Sequence, residues 1–161
     1  MTTKTATKVR GFVVKQLGGP ERLEYGDIEL QPPGPGQALV RLHAIGVNFL
    51  DVGQRTGIYP REIPFVPGVE GAGVVEQVGE GVTSVKPGDH VAYTGEPGAY
   101  AEASVVRADS LIPLPPDFDF VQGAAFPLQG MTAHYLIHEF RKIKPNDIVL
   151  IHAAAGGMGS A

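Results

Sequence analysis

The chain has 161 residues, of which 43% are hydrophobic, and a formal net charge of −4 at pH 7. This composition is typical of a soluble globular protein with one domain, or one domain and part of another. Scattered charges argue against nucleic-acid binding, and no apolar stretch approaches the roughly 18 residues that would span a membrane. The absence of cysteine excludes disulfides, thiolate catalysis and cysteine-containing zinc sites, and a cytoplasmic location is expected.

The N-terminal two thirds of the sequence is predicted to consist of short strands. The chain contains 22 glycines and 14 prolines, spread along its length between short alternating apolar runs, which favours a barrel or a sandwich. Strands are predicted over residues 10–15, 21–28, 37–44, 69–78, 98–106 and 110–113. The strand over 37–44 is expected to be half-buried, and the strand over 69–78 to bend at Gly71 and Gly73.

Helices are predicted at three places. The first covers residues 48–56, with Asn48 as its N-cap and Gly57 near its end. Two more are predicted over residues 119–126 and 130–140, where apolar residues recur at helical spacing. This change of pattern near residue 115 predicts two domains, residues 1–115 and residues 116–161.

The last predicted strand leads into a glycine-rich turn. Residues 147–152 form an apolar run rich in β-branched residues, which predicts a buried strand, and Gly156, Gly157 and Gly159 follow directly. A strand that runs into such a turn is typical of the start of a dinucleotide-binding βαβ unit. Its glycines let the backbone approach a pyrophosphate.

Several polar residues have a structural interpretation beside a functional one. Glu70 stands alone in a glycine-rich segment, where a satisfied structural carboxylate is favoured over a ligand-orienting one, since no acid–base partner is visible. Asn48 and Asp51 have the spacing of a helix-capping pair, which explains both residues without a ligand. Tyr59 is by default a partly buried aromatic residue.

The remaining candidates lie on the last predicted helix. Thr132 and Tyr135 are three residues apart on one face, where core packing is the default interpretation. His134 and His138 are four residues apart, but they do not form an H-E-x-x-H motif and have no third ligand in a clear position. No metal site is therefore predicted.

Six segments, taken in order, resemble the zinc-independent quinone oxidoreductases of the medium-chain dehydrogenase/reductase superfamily, the group that includes zeta-crystallin. In zinc-dependent members of that superfamily, a cysteine stands at about the position of Asn48 and a histidine at that of Val69. Neither ligand is present here, so no zinc is expected. The segments that carry the resemblance are residues 44–51, 55–60, 67–73, 85–89, 130–135 and 153–159.

The resemblance implies a mainly β fold with some α structure: a GroES-like, partly open β-barrel catalytic domain, followed by the first helices and strand of a truncated Rossmann domain. It also implies hydride transfer from NADPH to a small-molecule quinone or enone, which is catalysis mainly by positioning. Tyr59 would face the acceptor and is the candidate catalytic acid for an enone. The implied cofactor-binding residues are Asn48, Phe49, Leu50, Asp51, Thr132, Tyr135, Gly156, Gly157, Met158 and Gly159.

Two alternative functions remain open. One is an enoyl thioester reductase, in which a tyrosine at the position of Tyr59 donates the proton after hydride transfer. The other is a non-enzymatic GroES-like folding or interaction module. The resembled enzymes are roughly twice this length, and most of their cofactor domain has no counterpart here, so we expect the chain alone to bind NADPH weakly or not at all. The resembled enzymes are commonly dimers. The uncovered last strand of this chain is expected to promote self-association.

Overall fold

The computed structural model describes residues 5–160, within which it has seven strands and three α-helices. The last α-helix, Pro127–His134, continues directly into a short π-helix, Tyr135–Phe140. The strands are β1 (Thr7–Val13), β2 (Glu24–Leu30), β3 (Gln37–Ile45), β4 (Glu70–Val78), β5 (His90–Thr94), β6 (Ala103–Arg107) and β7 (Ile112–Pro113), and the helices are α1 (Phe49–Thr56), α2 (Phe120–Ala125) and α3 (Pro127–His134).

The strands form two antiparallel sheets that do not close into a complete barrel. β1 pairs with β2, and a five-stranded sheet has the order β6-β3-β4-β5-β7. Isolated bridges from Gly11 to Ala101 and from Val14 to Phe65 connect β1 to the rest of the chain. The predicted mainly β, partly open architecture is confirmed.

The core covers both faces of β3. Ala38 and Val40 point into the main cluster, with Val75, Val91 and other small or β-branched residues. Leu39 points the other way and is buried with Val9 of β1. The prediction that this strand is half-buried was therefore wrong for its first part, because the β1–β2 sheet covers the second face.

Strands β3 and β4 approach each other closely at Gly73. The register shifts between Leu42 and Ala44, which lie opposite Gly73 and Ala72. A Cβ atom at Gly73 would overlap the backbone carbonyl of Arg41. This local irregularity agrees with the bend that the sequence predicts at this glycine, since a side chain has no room there.

Helix α2 packs on β3, β4 and β5. Its Ala124 is buried against Ala72 and Ala92. The ring of Phe120 stacks on His43 at a centroid distance of 4.5 Å and lies 4.8 Å from that of His90. Both histidine rings thus contact the same aromatic ring of α2.

The segment after α2 is helical as predicted, but its apolar face is uncovered. Met131, Tyr135, Leu136 and Phe140 are all exposed. Within residues 5–160, none of the helices combines the length and the apolar character that crossing a bilayer requires.

The prediction of a strand over residues 147–152 was wrong. These residues have no strand or helix, and Ile148 is fully exposed. A strand needs a neighbour to complete its backbone hydrogen bonds, and none lies beside this segment in the described part of the chain. The glycine-rich residues 153–159 form successive turns.

We expect Gly73→Ala to lower the free energy of unfolding by about 1–3 kcal/mol, because the new methyl group meets backbone and not a movable side chain. The measurement is urea unfolding followed by circular dichroism. Gly26→Ala in β2 is the control, since no atom lies within 4 Å of its added Cβ. Equal stability of the two variants would contradict the close β3–β4 approach.

Candidate functional site

The start of α1 carries two buried polar residues, Asn48 and Asp51. Asn48 is the N-cap and has extended backbone angles, and Gly57 ends the helix in the left-handed conformation with φ of 85°. A carboxylate oxygen of Asp51 accepts a hydrogen bond from the backbone N–H of Asn48 at 2.9 Å. The predicted helix limits are confirmed, and Asp51 acts as the capping side chain.

The Asn48 side chain points away from the helix toward Glu70, the first residue of β4. Glu70 is 1% exposed. Its Oε2 accepts a hydrogen bond from Asn48 Nδ2 at 2.8 Å, and its Oε1 accepts one from the backbone N–H of Leu128 at 2.7 Å. Hydrogen bonds to charged groups contribute about 1.5–3 kcal/mol each, and an unpaired buried carboxylate would be very costly. The predicted structural carboxylate is thus confirmed, and its partners come from two other elements.

The Leu128 contact also anchors a helix. Leu128 lies in the first turn of α3, where backbone N–H groups have no partner inside the helix. A carboxylate at a helix N-terminus is further favoured by the helix dipole, by about 0.3–1 kcal/mol. Glu70 therefore fixes the start of α3 against the sheet.

Gln129 completes the connection and was missed by the sequence-based prediction. Its Nε2 donates to Asn48 Oδ1 at 3.0 Å. The two residues are separated by 81 positions, so no local pattern could pair them. We call Asn48, Glu70, Leu128 and Gln129 the amide circuit.

The Asp51 oxygen that accepts from Asn48 also accepts a hydrogen bond from Tyr100. The Tyr100 hydroxyl donates to Asp51 Oδ2 at 3.0 Å. Burial raises the pKa of Asp51, although the N–H of Asn48 and the Tyr100 hydroxyl act in the opposite direction. Burial, followed by the neighbouring charge of Asp51, raises the pKa of Tyr100 above its usual range. Tyr100 therefore remains a protonated donor.

Tyr59, the predicted catalytic acid, lies against α1. Its backbone N–H donates to the Gly53 carbonyl at 3.1 Å, and a Cβ atom at Gly53 would overlap the Tyr59 ring. The side chain is 45% exposed. The side chain is therefore exposed, so the default expectation of a partly buried aromatic residue was wrong, and the ring is open to a ligand.

The other predicted cofactor contacts differ in exposure. Thr132 donates its hydroxyl to the Leu128 carbonyl at 2.6 Å, within its own helix. Tyr135 is 53% exposed, so the core-packing interpretation was wrong for this residue. Phe49 is exposed and Leu50 is half-buried.

The glycine turn lies beside the amide circuit. A Cβ atom at Gly157 would lie 3.3 Å from Gln129 Cγ, and one at Gly159 would overlap the backbone of Ala154. Gly159 is thus required by the turn itself. Gly156 is bonded through its N–H to the Ala153 carbonyl at 2.8 Å, and Met158 is exposed.

An apolar groove of about 400 Å³ lies between β1, β2 and the end of β3 and shares Tyr100 with this site. Phe12, Tyr25, Ile45 and Tyr100 are among its lining residues, whereas Tyr59 is not. The groove therefore does not coincide with the predicted acceptor contact.

The two histidines of the last helical segment, His134 and His138, lie side by side. The rings of His134 and His138 are 4.5 Å apart. Among residues 5–160, no group of three or more histidine, aspartate or glutamate side chains is placed to hold a metal ion.

Residues 34–116 match the family model of the alcohol dehydrogenase GroES-like domain. The chain belongs to this family. Its partly open barrel and the buried cluster at the start of α1 lie mainly within the matched range.

The more similar relatives are reductases. The chain is 48% identical over 144 residues to a quinone oxidoreductase of Pseudomonas aeruginosa, covering 88% of this chain and 44% of that protein. It is 47% identical over 158 residues to a 2-haloacrylate reductase of a Burkholderia species, covering 94% of this chain and 47% of that protein. The chain thus spans about half the length of the curated relatives it matches.

Solved structures give the same result. A quinone oxidoreductase of Pseudomonas syringae superposes with a TM-score of 0.92 at 47% identity, over 94% of this chain and 47% of that one. The Escherichia coli quinone oxidoreductase, solved in complex with NADPH, has a TM-score of 0.87 at 38% identity, over 95% of this chain and 47% of that one. The predicted resemblance to quinone oxidoreductases is confirmed.

We expect the pH dependence of stability to change in Asp51→Asn. Because the pKa of Asp51 is raised in the folded state, the wild-type chain loses stability as pH rises from the ordinary value near 3.8 through the folded-state value. The asparagine variant lacks this loss and keeps an oxygen for the Tyr100 hydroxyl. The check is urea unfolding at pH values on both sides of this interval. A constant difference in unfolding free energy between the two proteins would contradict the raised pKa.

Proposed function

We propose that this chain forms the catalytic-domain half of an NADPH-dependent reductase that acts on quinones or activated alkenes. The observation that carries the proposal is a convergence of three elements: the start of α1 with Asn48 and Asp51, Gln129 on α3, and the glycine turn at Gly157. The similarity to a quinone oxidoreductase solved with NADPH supports the choice of cofactor.

The residues at this place fit a nicotinamide nucleotide. Within residues 5–160, two buried side-chain oxygens at this site have no hydrogen-bond partner. They are Asp51 Oδ1 and Gln129 Oε1. Both are acceptors, and ribose hydroxyls and a carboxamide N–H₂ group are donors. We infer that Asp51, Asn48 and Gln129 serve the ribose and nicotinamide, and that residues 156–159 serve the pyrophosphate.

The bound cofactor supplies a hydride equivalent, and the chain supplies position and surroundings. An electron-poor acceptor needs no Lewis acid, so alignment with the donor is the main requirement. Val47 and Phe49 are exposed apolar side chains next to the buried cluster. Once covered by a ligand, they would exclude water from the reacting atoms and strengthen the polar contacts around them.

Tyr59 is the proposed proton donor when the acceptor is an activated alkene. Reduction of such an acceptor adds hydride to one carbon and then a proton to its neighbour. The partly exposed Tyr59 hydroxyl lies beside α1 and would donate this proton. Thr132 and Tyr135, on the helix that carries Gln129, are proposed to contact the nicotinamide and ribose.

A specific similarity favours alkenes as a second acceptor class. The Burkholderia relative is named a 2-haloacrylate reductase, and it matches this chain almost as closely as the quinone oxidoreductase does. Enoyl thioesters are chemically related activated alkenes and remain an alternative. A dimer, or self-association through the exposed residues 148–151, is also proposed and is tested by the molecular mass in solution.

The first experiment is a titration of the chain with NADPH, followed by cofactor fluorescence and by ligand-observed NMR. We expect binding weaker than low micromolar, with the strongest protein contacts at the nicotinamide and its ribose. Asp51→Asn should weaken it further, because one acceptor becomes a donor. A low-micromolar dissociation constant would contradict the expected weakness. No binding by a chain that melts cooperatively would mean that these contacts do not suffice without further residues, as expected for half of such an enzyme.

We expect Tyr59→Phe to reduce the rate of alkene reduction by roughly 10²–10⁴-fold, as for the loss of a general acid, and to leave quinone reduction nearly unchanged. The measurement is NADPH oxidation with a quinone and with 2-chloroacrylate. Tyr25→Phe, which removes a comparably exposed hydroxyl on β2, is the control. Parallel loss of both activities would show that Tyr59 acts only as a contact.

A further inference from the structure

We propose that Glu70 and Gln129 are positioning residues that hold the Asn48 carboxamide in a single orientation and tie α3 to the start of α1. The inference rests on the proposed function only in that Asn48 is taken to face the cofactor. The orientation itself is a property of the folded chain and can be measured without any ligand.

The orientation follows from the donors and acceptors present. A carboxylate has lone pairs but no proton to donate. The end of Asn48 that faces Glu70, at 2.8 Å, must therefore be the N–H₂ group. Its oxygen then faces Gln129, and the end of Gln129 at 3.0 Å must be its own N–H₂ group. One acidic residue thus sets the direction of both amides.

The carboxylate is itself fixed by two hydrogen bonds. Oε2 is held by Asn48, and Oε1 is held by the Leu128 N–H of α3. Gly46 lies close to the carboxylate, and its N–H donates to the backbone carbonyl of Glu70 at 3.0 Å. A Cβ atom at Gly46 would overlap Glu70 Oε2. The glycine at this position therefore makes room for the carboxylate.

The amide circuit also determines which polar atom Gln129 presents beside the glycine turn. Gln129 is the residue against which Gly157 lies, so the same side chain contacts Asn48 and the glycine turn. A change in the direction of the Gln129 amide would exchange its unpaired Oε1 for a donor. The ligand-facing polarity of both amides is therefore decided at Glu70.

The test reverses the directions of the hydrogen bonds in the amide circuit and keeps each bond. In Glu70→Gln, the new side chain keeps an oxygen for the Leu128 N–H and presents N–H₂ to Asn48. Asn48 must then turn its oxygen to residue 70, and Gln129 must turn its Oε1 to Asn48 Nδ2. All pairs remain satisfied, so we expect the melting temperature to change by no more than about 4 °C.

Two readouts distinguish orientation from stability. The Asn48 side-chain N–H₂ signals in a ¹⁵N-labelled chain should move strongly, because the donor leaves a carboxylate for an amide. The affinity for NADPH should fall by roughly three- to tenfold, the effect of one mismatched hydrogen bond. Gly26→Ala, remote from the circuit and with open space around its Cβ, should change neither.

A double variant separates a positioning role from a structural one. In Glu70→Gln with Gln129→Glu, the acid lies at the other end of the circuit, and Asn48 is held in the reversed orientation with the original net charge. Because Gln129 is itself proposed to contact the nucleotide, the readout of this variant is the orientation of Asn48 and not the affinity. We expect the Asn48 side-chain N–H₂ protons to show NMR contacts to residue 129, whereas in the wild type they contact residue 70. Contacts to residue 70 in both proteins would overturn the inference.

The outcomes also separate this inference from the proposed function. If the wild-type chain binds no NADPH, its half of the site does not suffice for the cofactor, and the Asn48 signals still decide the orientation. If NADPH binds but Glu70→Gln leaves the Asn48 signals and the affinity unchanged, the positioning role is wrong and the proposed function stands.

Discussion

The buried carboxylate of Glu70 is the constraint on which the arrangement of the site depends. It brings together β4, the start of α1 and the start of α3, three elements that contribute no continuous sequence motif. A buried carboxylate is tolerated only when its oxygens are satisfied. Satisfying them requires that Asn48 and α3 occupy fixed places. The hydrogen-bonding requirement of this one buried side chain therefore defines the geometry around it.

The sheet supplies the rigid frame for this geometry. β3 is covered on both faces in its first part and pairs with β4 and β6, which makes it an interior strand of the five-stranded sheet. The residues after its end, Gly46 and Asn48, are therefore delivered to a fixed position next to Glu70. The helical segment from α3 onward is held mainly through the amide circuit and α2, and most of its side chains are exposed.

The family membership and the polar cluster contribute different kinds of information. The match to the GroES-like family and the similarity to quinone oxidoreductases indicate a class of chemistry. The cluster indicates how this chain would take part in it. The exposed side chains at the site, Val47 and Phe49, are apolar. The buried side chains there are amides in fixed orientations and hydrogen-bond acceptors.

The sequence by itself determined the short strands, the α1 limits at Asn48 and Gly57, and the β-bend at Gly73, because turn residues, caps and period-two patterns act over a few positions. Tertiary structure alone decided that Asn48 would turn from its capping role toward Glu70 and meet Gln129, since those partners are 22 and 81 positions away. It also decided against a strand over residues 147–152. A strand is completed by a neighbour's hydrogen bonds, and local β propensity cannot supply that neighbour.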